Sequence, residues 1–197
     1  VTDLTFEPFP KIARLKRPCV ITEKVDGTNA QLVFDAEGNM LVGSRKRQIW
    51  PEGHPEKPKG CDNFAFAQWA YVHQTELFEF LGVGRHYGEW AGLGIQRGYG
   101  LDHKRFFLFN AGRFGPGRQD IPEGLRAAGL DVVPVLYQGD FDTGAVDKVM
   151  ADLRGNSRVN AWHDPEGVIV YMTASRELYK VTYEMDDGKW RHNVSSD

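Results

Sequence analysis

What most limits the fold of this chain is its punctuation: β-rich runs of five to eight residues recur along it, bounded by glycine, asparagine and other turn formers, and only two stretches carry a helical period. Residues 18–24 (PCVITEK) and 29–35 (NAQLVFD) are the first two runs, and Glu37-Gly38-Asn39 turns the chain into a third, MLVGS at 40–44. The stretch from Trp50 to Gly60 carries Pro51, Pro55 and Pro58, which cannot sustain a helix or a central strand, so an exposed loop is expected there. From Asp62, a candidate N-cap, the apolar spacing of Phe66, Trp69, Ala70, Val72, Leu77, Phe80 and Leu81 predicts one amphipathic helix ended by Gly82, its aromatic stripe facing the core. Further β-rich runs stand at 84–91, 105–110 and 132–137, with a glycine-rich segment over 92–100. A second helix is expected from Asp142 to Arg154, stopped at Gly155, and the runs 166–172 and 177–183 form a hairpin. Together they predict an α+β fold of mostly antiparallel sheets with a few helices.

A length of 197 residues suits one well-filled core, so residues 1–197 are expected to be a single domain. Hydrophobic residues at 41% and charged residues at 26% exclude a disordered chain. No run approaches 18 apolar residues, and VTDLTFEPFP lacks the basic-then-apolar order of a signal peptide, which points to a cytoplasmic protein without a membrane partner. Cys19 and Cys61 are too few for a zinc ribbon or a disulfide scaffold, and the histidines show no spacing that sets two ligands on one helical face. The net charge of −3 conceals segregation: Arg85 to Arg118 holds six basic residues against two acidic, whereas Gln119 to Asp152 holds seven acidic against two basic. That basic stretch and the cluster Arg45-Lys46-Arg47 suit phosphates, with solvated loops as the alternative reading.

The chemistry concentrates in Glu23-Lys24-Val25-Asp26-Gly27-Thr28-Asn29, where a lysine stands at the end of a strand before a glycine-containing loop. A lysine amine attacks only when deprotonated, and at an ordinary pKa of ~10.4 it is nearly inert at neutral pH. Nearby positive charge or desolvation lowers that value, while the adjacent acids oppose the shift unless a divalent metal engages them.

Lys-x-Asp-Gly alone is weak, but matching segments follow it in order: Gly43-Ser44-Arg45, Tyr87-Gly88-Glu89-Trp90, the aromatic run Phe106 to Asn110, Glu166-Gly167-Val168-Ile169-Val170, and Leu178-Tyr179-Lys180-Val181. This set, spanning residues 23–181, resembles the motifs of the covalent nucleotidyltransferases, which comprise DNA ligases, RNA ligases and messenger-RNA capping enzymes. Thr28-Asn29 and the Tyr-Gly-Glu-Trp form look most like ATP-dependent RNA-repair ligases of the T-even bacteriophage type.

The resemblance implies an adenylation-domain fold with the nucleotide in a cleft between sheets, and a three-step reaction on RNA ends or a nicked duplex. Lys24 would take AMP from ATP, with Lys180 on the α-phosphate and Glu166 organising magnesium or manganese. Glu23, Asp26 and Gly27 would line the nucleotide site, Arg45 and Glu89 would hold the ribose, Phe109 and Val168 would wall the base, and Asn29 and Lys46 would contact the substrate strands. Two features depart from the pattern. Thr182 stands where a second lysine is usual, with Arg176 or Lys189 as substitutes, and only 16 residues follow Val181, so a substrate grip would come from an accessory domain or protein beside an otherwise monomeric chain. A DNA ligase, a capping-type guanylyltransferase and a non-catalytic RNA-end-binding protein remain the alternatives.

Overall fold

The computed structural model describes residues 17–55, 60–115 and 117–184. The N-terminal run 1–10, part of the loop between Trp50 and Gly60, and Lys189 lie outside the described residues. Nine strands are present among the described residues: β1 (Pro18–Glu23), β2 (Thr28–Phe34), β3 (Met40–Ser44), β4 (Gly84–Gly92), β5 (Lys104–Leu108), β6 (Leu130–Val132), β7 (Val135–Asp140), β8 (Gly167–Met172) and β9 (Glu177–Thr182). Four α-helices accompany them among the described residues: α1 (Phe66–Val72), α2 (Gln74–Leu81), α3 (Glu123–Ala127) and α4 (Thr143–Leu153). The strands form two sheets, one ordered β7-β1-β8-β9 and the other β3-β2-β4-β5-β6. All pairings are antiparallel except β5 with β6. The expected α+β class is therefore observed.

Strand alternation sets the layers. In the five-stranded sheet, Ala30, Leu32, Phe34, Trp90, Phe106 and Leu108 pack into one core with Phe66, Ala70, Leu77 and Leu81 of α1 and α2 and Leu125 of α3. In the four-stranded sheet, Cys19, Ile21, Val168 and Val170 pack on Val146, Val149 and Leu153 of α4. A third cluster joins Val25, Ala91, Tyr99, Phe107 and Val133. Among the described residues the chain passes from one sheet to the other twice, over Lys24–Gly27 and over Val133–Pro134, and Val25 and Val133 of this third cluster are those crossing segments.

Three expectations need correction. The helix foreseen from Asp62 to Gly82 is two, bent at His73, whose φ of −106° and ψ of 18° tilt the axis. Each half is tied to a different neighbour: the Trp69 indole donates to the Ala128 carbonyl at 2.6 Å and the Gln74 amide to the Gly38 carbonyl at 2.9 Å. Asp62 does cap this region, but from a distance, its carboxylate accepting from the Ala67 and Gln68 amides while Phe64 and Ala65 adopt left-handed backbone. The run 132–137 is not one strand, because Pro134 splits it between sheets, and α3 is a five-residue turn too short to show a period. The second helix and the final hairpin stand as expected, with the Asp142 carboxylate accepting from the Gly144 amide at 2.7 Å. Both cysteines are free thiols. No helix among the described residues is long and apolar enough to cross a membrane.

Candidate functional site

Lys24 follows the last residue of β1 and opens the first crossing between sheets. Its amide donates to the Gly167 carbonyl at 2.9 Å, which fixes the backbone of the lysine against the start of β8. Its ammonium is paired with the Glu166 carboxylate through Oε1, and both side chains are largely withdrawn from solvent. The other carboxylate oxygen of Glu166, Oε2, is buried and accepts no hydrogen bond from the described residues. A buried, unsatisfied carboxylate oxygen is costly, so this one is a site for a further donor or a cation.

Gly27 is required by close approach: a Cβ there would stand 2.4 Å from the Trp90 carbonyl oxygen and 2.8 Å from the Ala91 Cβ. Without that side chain, β2 begins flush against β4, and Asn29 comes opposite Glu89 in the register. The Asn29 amide donates to Glu89 at 3.0 Å. Glu89 is only 8% exposed, and burial pushes its carboxyl up to about 7; Lys24 pulls it down and Glu166 pushes it up, so the glutamate belongs electrostatically to the Lys24 pair. Beside it lies an open cavity of about 420 Å³ whose lining includes Gly27, Asn29, Arg45, Lys46, Arg47 and Glu89. The basic loop reaches this cavity because the Ser44 amide bonds back to the Arg47 carbonyl at 2.9 Å, turning the chain just past β3. Lys24 and Glu166 do not line it. The predicted residues thus fall into two adjoining groups, linked by Glu89.

Two expected nucleotide contacts have other partners. The Glu23 carboxylate lies on the α4 side of its sheet, 1% exposed, where it accepts from the Ser157 hydroxyl at 2.5 Å and the Arg158 amide at 2.7 Å. Burial raises its pKa while these bonds lower it, so Glu23 anchors the loop before β8 rather than facing the cleft. The Asp26 carboxylate accepts from Arg97 at 2.7 Å, and the Asp26 amide donates to the Tyr99 hydroxyl at 2.6 Å.

On the other face of the four-stranded sheet, Lys180 stands opposite Ile169, which stands opposite Thr22. Val168 points the other way, fully buried in the α4 core, so it cannot wall a base in the cleft, and Ile169 occupies the open side in its place. Phe107 is the register partner of Glu89, so alternation puts Phe109 on the Glu89 face, where it is 45% exposed. Phe106 and Leu108 are core.

The basic stretch of the sequence is largely consumed inside the fold. Arg85 donates to Gln31, Arg105 to Asp131, Arg113 to the Leu81 carbonyl and Arg118 to the Gly112 carbonyl, and Arg97 engages three carboxylates. Of the two charge clusters, Arg45-Lys46-Arg47 is the one exposed at the cavity. Sequence reasoning missed Arg97, Tyr99, Ser157 and Asn63, whose amide donates to the Thr28 hydroxyl at 2.9 Å. The signal for the first two was an arginine and a tyrosine set among closely spaced glycines.

The model of the RNA ligase family matches residues 17–182. No curated protein matches the chain in sequence. Among solved structures, a Naegleria gruberi RNA ligase mutant with ATP and Mn aligns with a TM-score of 0.58 at 19% identity, over 84% of this chain and 49% of that one. An apo mutant of the same ligase gives 0.57 at 19%, and the ligase with PPi gives 0.57 at 18%, with the same coverage. The chain therefore shares their fold and spans about half their length.

Proposed function

The chain belongs to the RNA ligase family, and from that membership we propose that it joins a 5′-phosphate to a 3′-hydroxyl of RNA through a lysyl-AMP and an adenylylated 5′ end. The observation that carries the reading is the Lys24–Glu166 pair, held at the junction of two sheets with Glu89 beside it. The described residues are taken as the nucleotidyltransferase unit, its nucleotide between the sheets, and the T-even phage type remains the pattern that Thr28-Asn29 and Tyr87-Gly88-Glu89-Trp90 favour within the family.

Each step is an in-line displacement at phosphorus, in which positioning and charge neutralisation do most of the work. In the first, the Lys24 nitrogen forms a bond to the α-phosphorus of ATP, the bond from that phosphorus to the bridging oxygen breaks, and pyrophosphate leaves. The amine must first lose a proton; the Glu166 carboxylate beside it favours the ammonium, and a divalent cation engaged by that carboxylate would offset the effect. In the second, a phosphate oxygen of the RNA 5′ end takes the AMP and frees Lys24; in the third, the 3′-hydroxyl forms the phosphodiester and AMP departs. Lys180, projecting beside Ile169, suits the α-phosphate, and Arg45, Lys46 and Asn29 suit the ribose and the strand ends along the cavity.

The unsatisfied Glu166 Oε2 fits a hard cation. Among the described residues no three His, Cys, Asp or Glu side chains gather for a metal, so magnesium or manganese held there would complete its shell with water and phosphate oxygens, as is usual for such ions. Bound, it would neutralise charge on the phosphates. The N. gruberi ligase complexes with ATP and Mn support the same pair of cofactors here. RNA ends are the proposed partner.

Incubation with α-labelled ATP and magnesium tests the reading. An acid-labile protein-bound AMP, absent in Lys24→Ala, is expected; labelling by GTP instead would reject the adenylate, and no labelling by any nucleoside triphosphate with either metal would reject the ligase.

A further inference from the structure

Arg97 lies in the glycine-rich segment after β4, on the five-stranded sheet, yet its guanidinium is spent on carboxylates beside or within the other sheet's functional segments. Nη1 donates to Asp26 at 2.7 Å, Nε to Asp164 at 3.1 Å and Nη2 to Glu184 at 3.0 Å. Asp26 is two residues from Lys24, Asp164 two residues before Glu166, and Glu184 follows the strand that carries Lys180. The three contacts are unequal. Arg97 and Asp26 are 17% and 22% exposed, whereas Asp164 and Glu184 are 57% and 83% exposed and their contacts are screened by water. The Asp26 contact is the one that holds.

Tyr99, two residues on, grips the same loop from its other side. Its hydroxyl accepts from the Asp26 amide at 2.6 Å, its ring is fully buried, and its backbone sits at a φ of 52°, a conformation few non-glycine residues keep without support. The support is present: the Asn160 amide donates to the Tyr99 carbonyl at 3.1 Å. Asp26 is thus bracketed by a guanidinium on its carboxylate and a phenol on its amide, both from one short segment.

We infer that Arg97 is a positioning residue for the nucleophile, acting on Lys24 through Asp26. The inference rests on the ligase reading only for its kinetic consequence; its structural content, that Arg97 orders the 24–28 loop, stands apart.

The test combines both. In Arg97→Met, single-turnover adenylylation at saturating ATP is expected to fall at least tenfold, with affinity for a non-reactive ATP analogue changed less than threefold, and Arg97→Lys is expected to recover part of the rate by meeting Asp26 alone. Arg97→Met combined with Asp26→Asn should be no slower than the worse single variant. Hydrogen exchange, which needs no activity, should quicken at the amides of residues 25–28 in Arg97→Met and stay unchanged in α4. Unchanged exchange at 25–28 overturns the inference whether or not the protein takes up AMP. Quickened exchange with a wild-type adenylylation rate overturns the kinetic role. Absence of adenylylation in the wild type, with quickened exchange in the variant, overturns the ligase reading and leaves the ordering of the 24–28 loop by Arg97 standing.

Discussion

The Lys24 ammonium and the Glu166 carboxylate meet across 142 residues of chain, and the Lys24 amide is bonded to Gly167 in the same place, so backbone and side chain fix one pairing twice. Replacing one partner leaves the other charge partly buried without its counterion. Glu166→Gln keeps the shape and removes the charge; adenylylation is expected to fall by about 10²–10³, the scale of losing one preorganised electrostatic contact, and the melting temperature to drop because the Lys24 ammonium loses its counterion. Chelation of divalent metal should stop the reaction in the wild type, and added magnesium or manganese should restore it. Quantified lysyl-AMP in a time course checks both.

Glu89 sets a pH dependence of stability. Burial pushes its carboxyl up to about 7 in the fold, from 4.5 for a free glutamate, so the folded state holds a proton that the unfolded chain has already released. The stabilisation this supplies is complete below about pH 4.5 and is lost as pH rises to about 7. Glu89→Gln, which cannot ionise, should gain on the wild type across that window by up to about 3 kcal/mol. Urea unfolding of both proteins at pH 5 and pH 8 measures it, and a constant difference would show that Glu89 does not hold that proton.

Glu23 is expected to act on the fold and not on the nucleotide. Ser157→Ala removes the hydroxyl that donates to this carboxylate and should cost about 1–3 kcal/mol, while the ATP concentration for half-maximal labelling stays put. Denaturant midpoints alongside labelling titrations separate the two.

Neighbouring residues on β8 should behave oppositely. Val168→Ala opens a cavity beneath α4 and should lower stability by about 1–3 kcal/mol with ATP affinity intact. Ile169→Ala, on the open face, should weaken ATP binding several-fold with a smaller loss of stability. Binding titrations and melting curves on the pair check the assignment of faces.

Much of the fold was legible in the sequence because periodicity and turn chemistry are local signals: the two terminal hairpin strands, the capped helix α4 and the hairpin of β2 and β3 stand where their residues predict. The misses arose where a distant partner decides the outcome. Val168 and Ile169 are chemically alike, and only the register with Glu23 and Lys180 tells which one faces α4. Glu23 and Asp26 flank the proposed nucleophile and read as nucleotide contacts, but their partners, Ser157 and Arg97, lie 134 and 71 residues away. The charge segregation misled for the same reason, since Arg105 of the basic stretch spends its charge on Asp131 of the acidic one.

Because the backbone bridges the two sheets at just two places among the described residues, over 24–27 and over 133–134, any rocking of one sheet against the other turns about an axis through those bridges. Displacement grows with distance from such an axis and vanishes on it. The Lys24 nitrogen proposed as the nucleophile is carried by the first bridge, so such a motion would widen the cleft toward a strand end while that nitrogen scarcely travels.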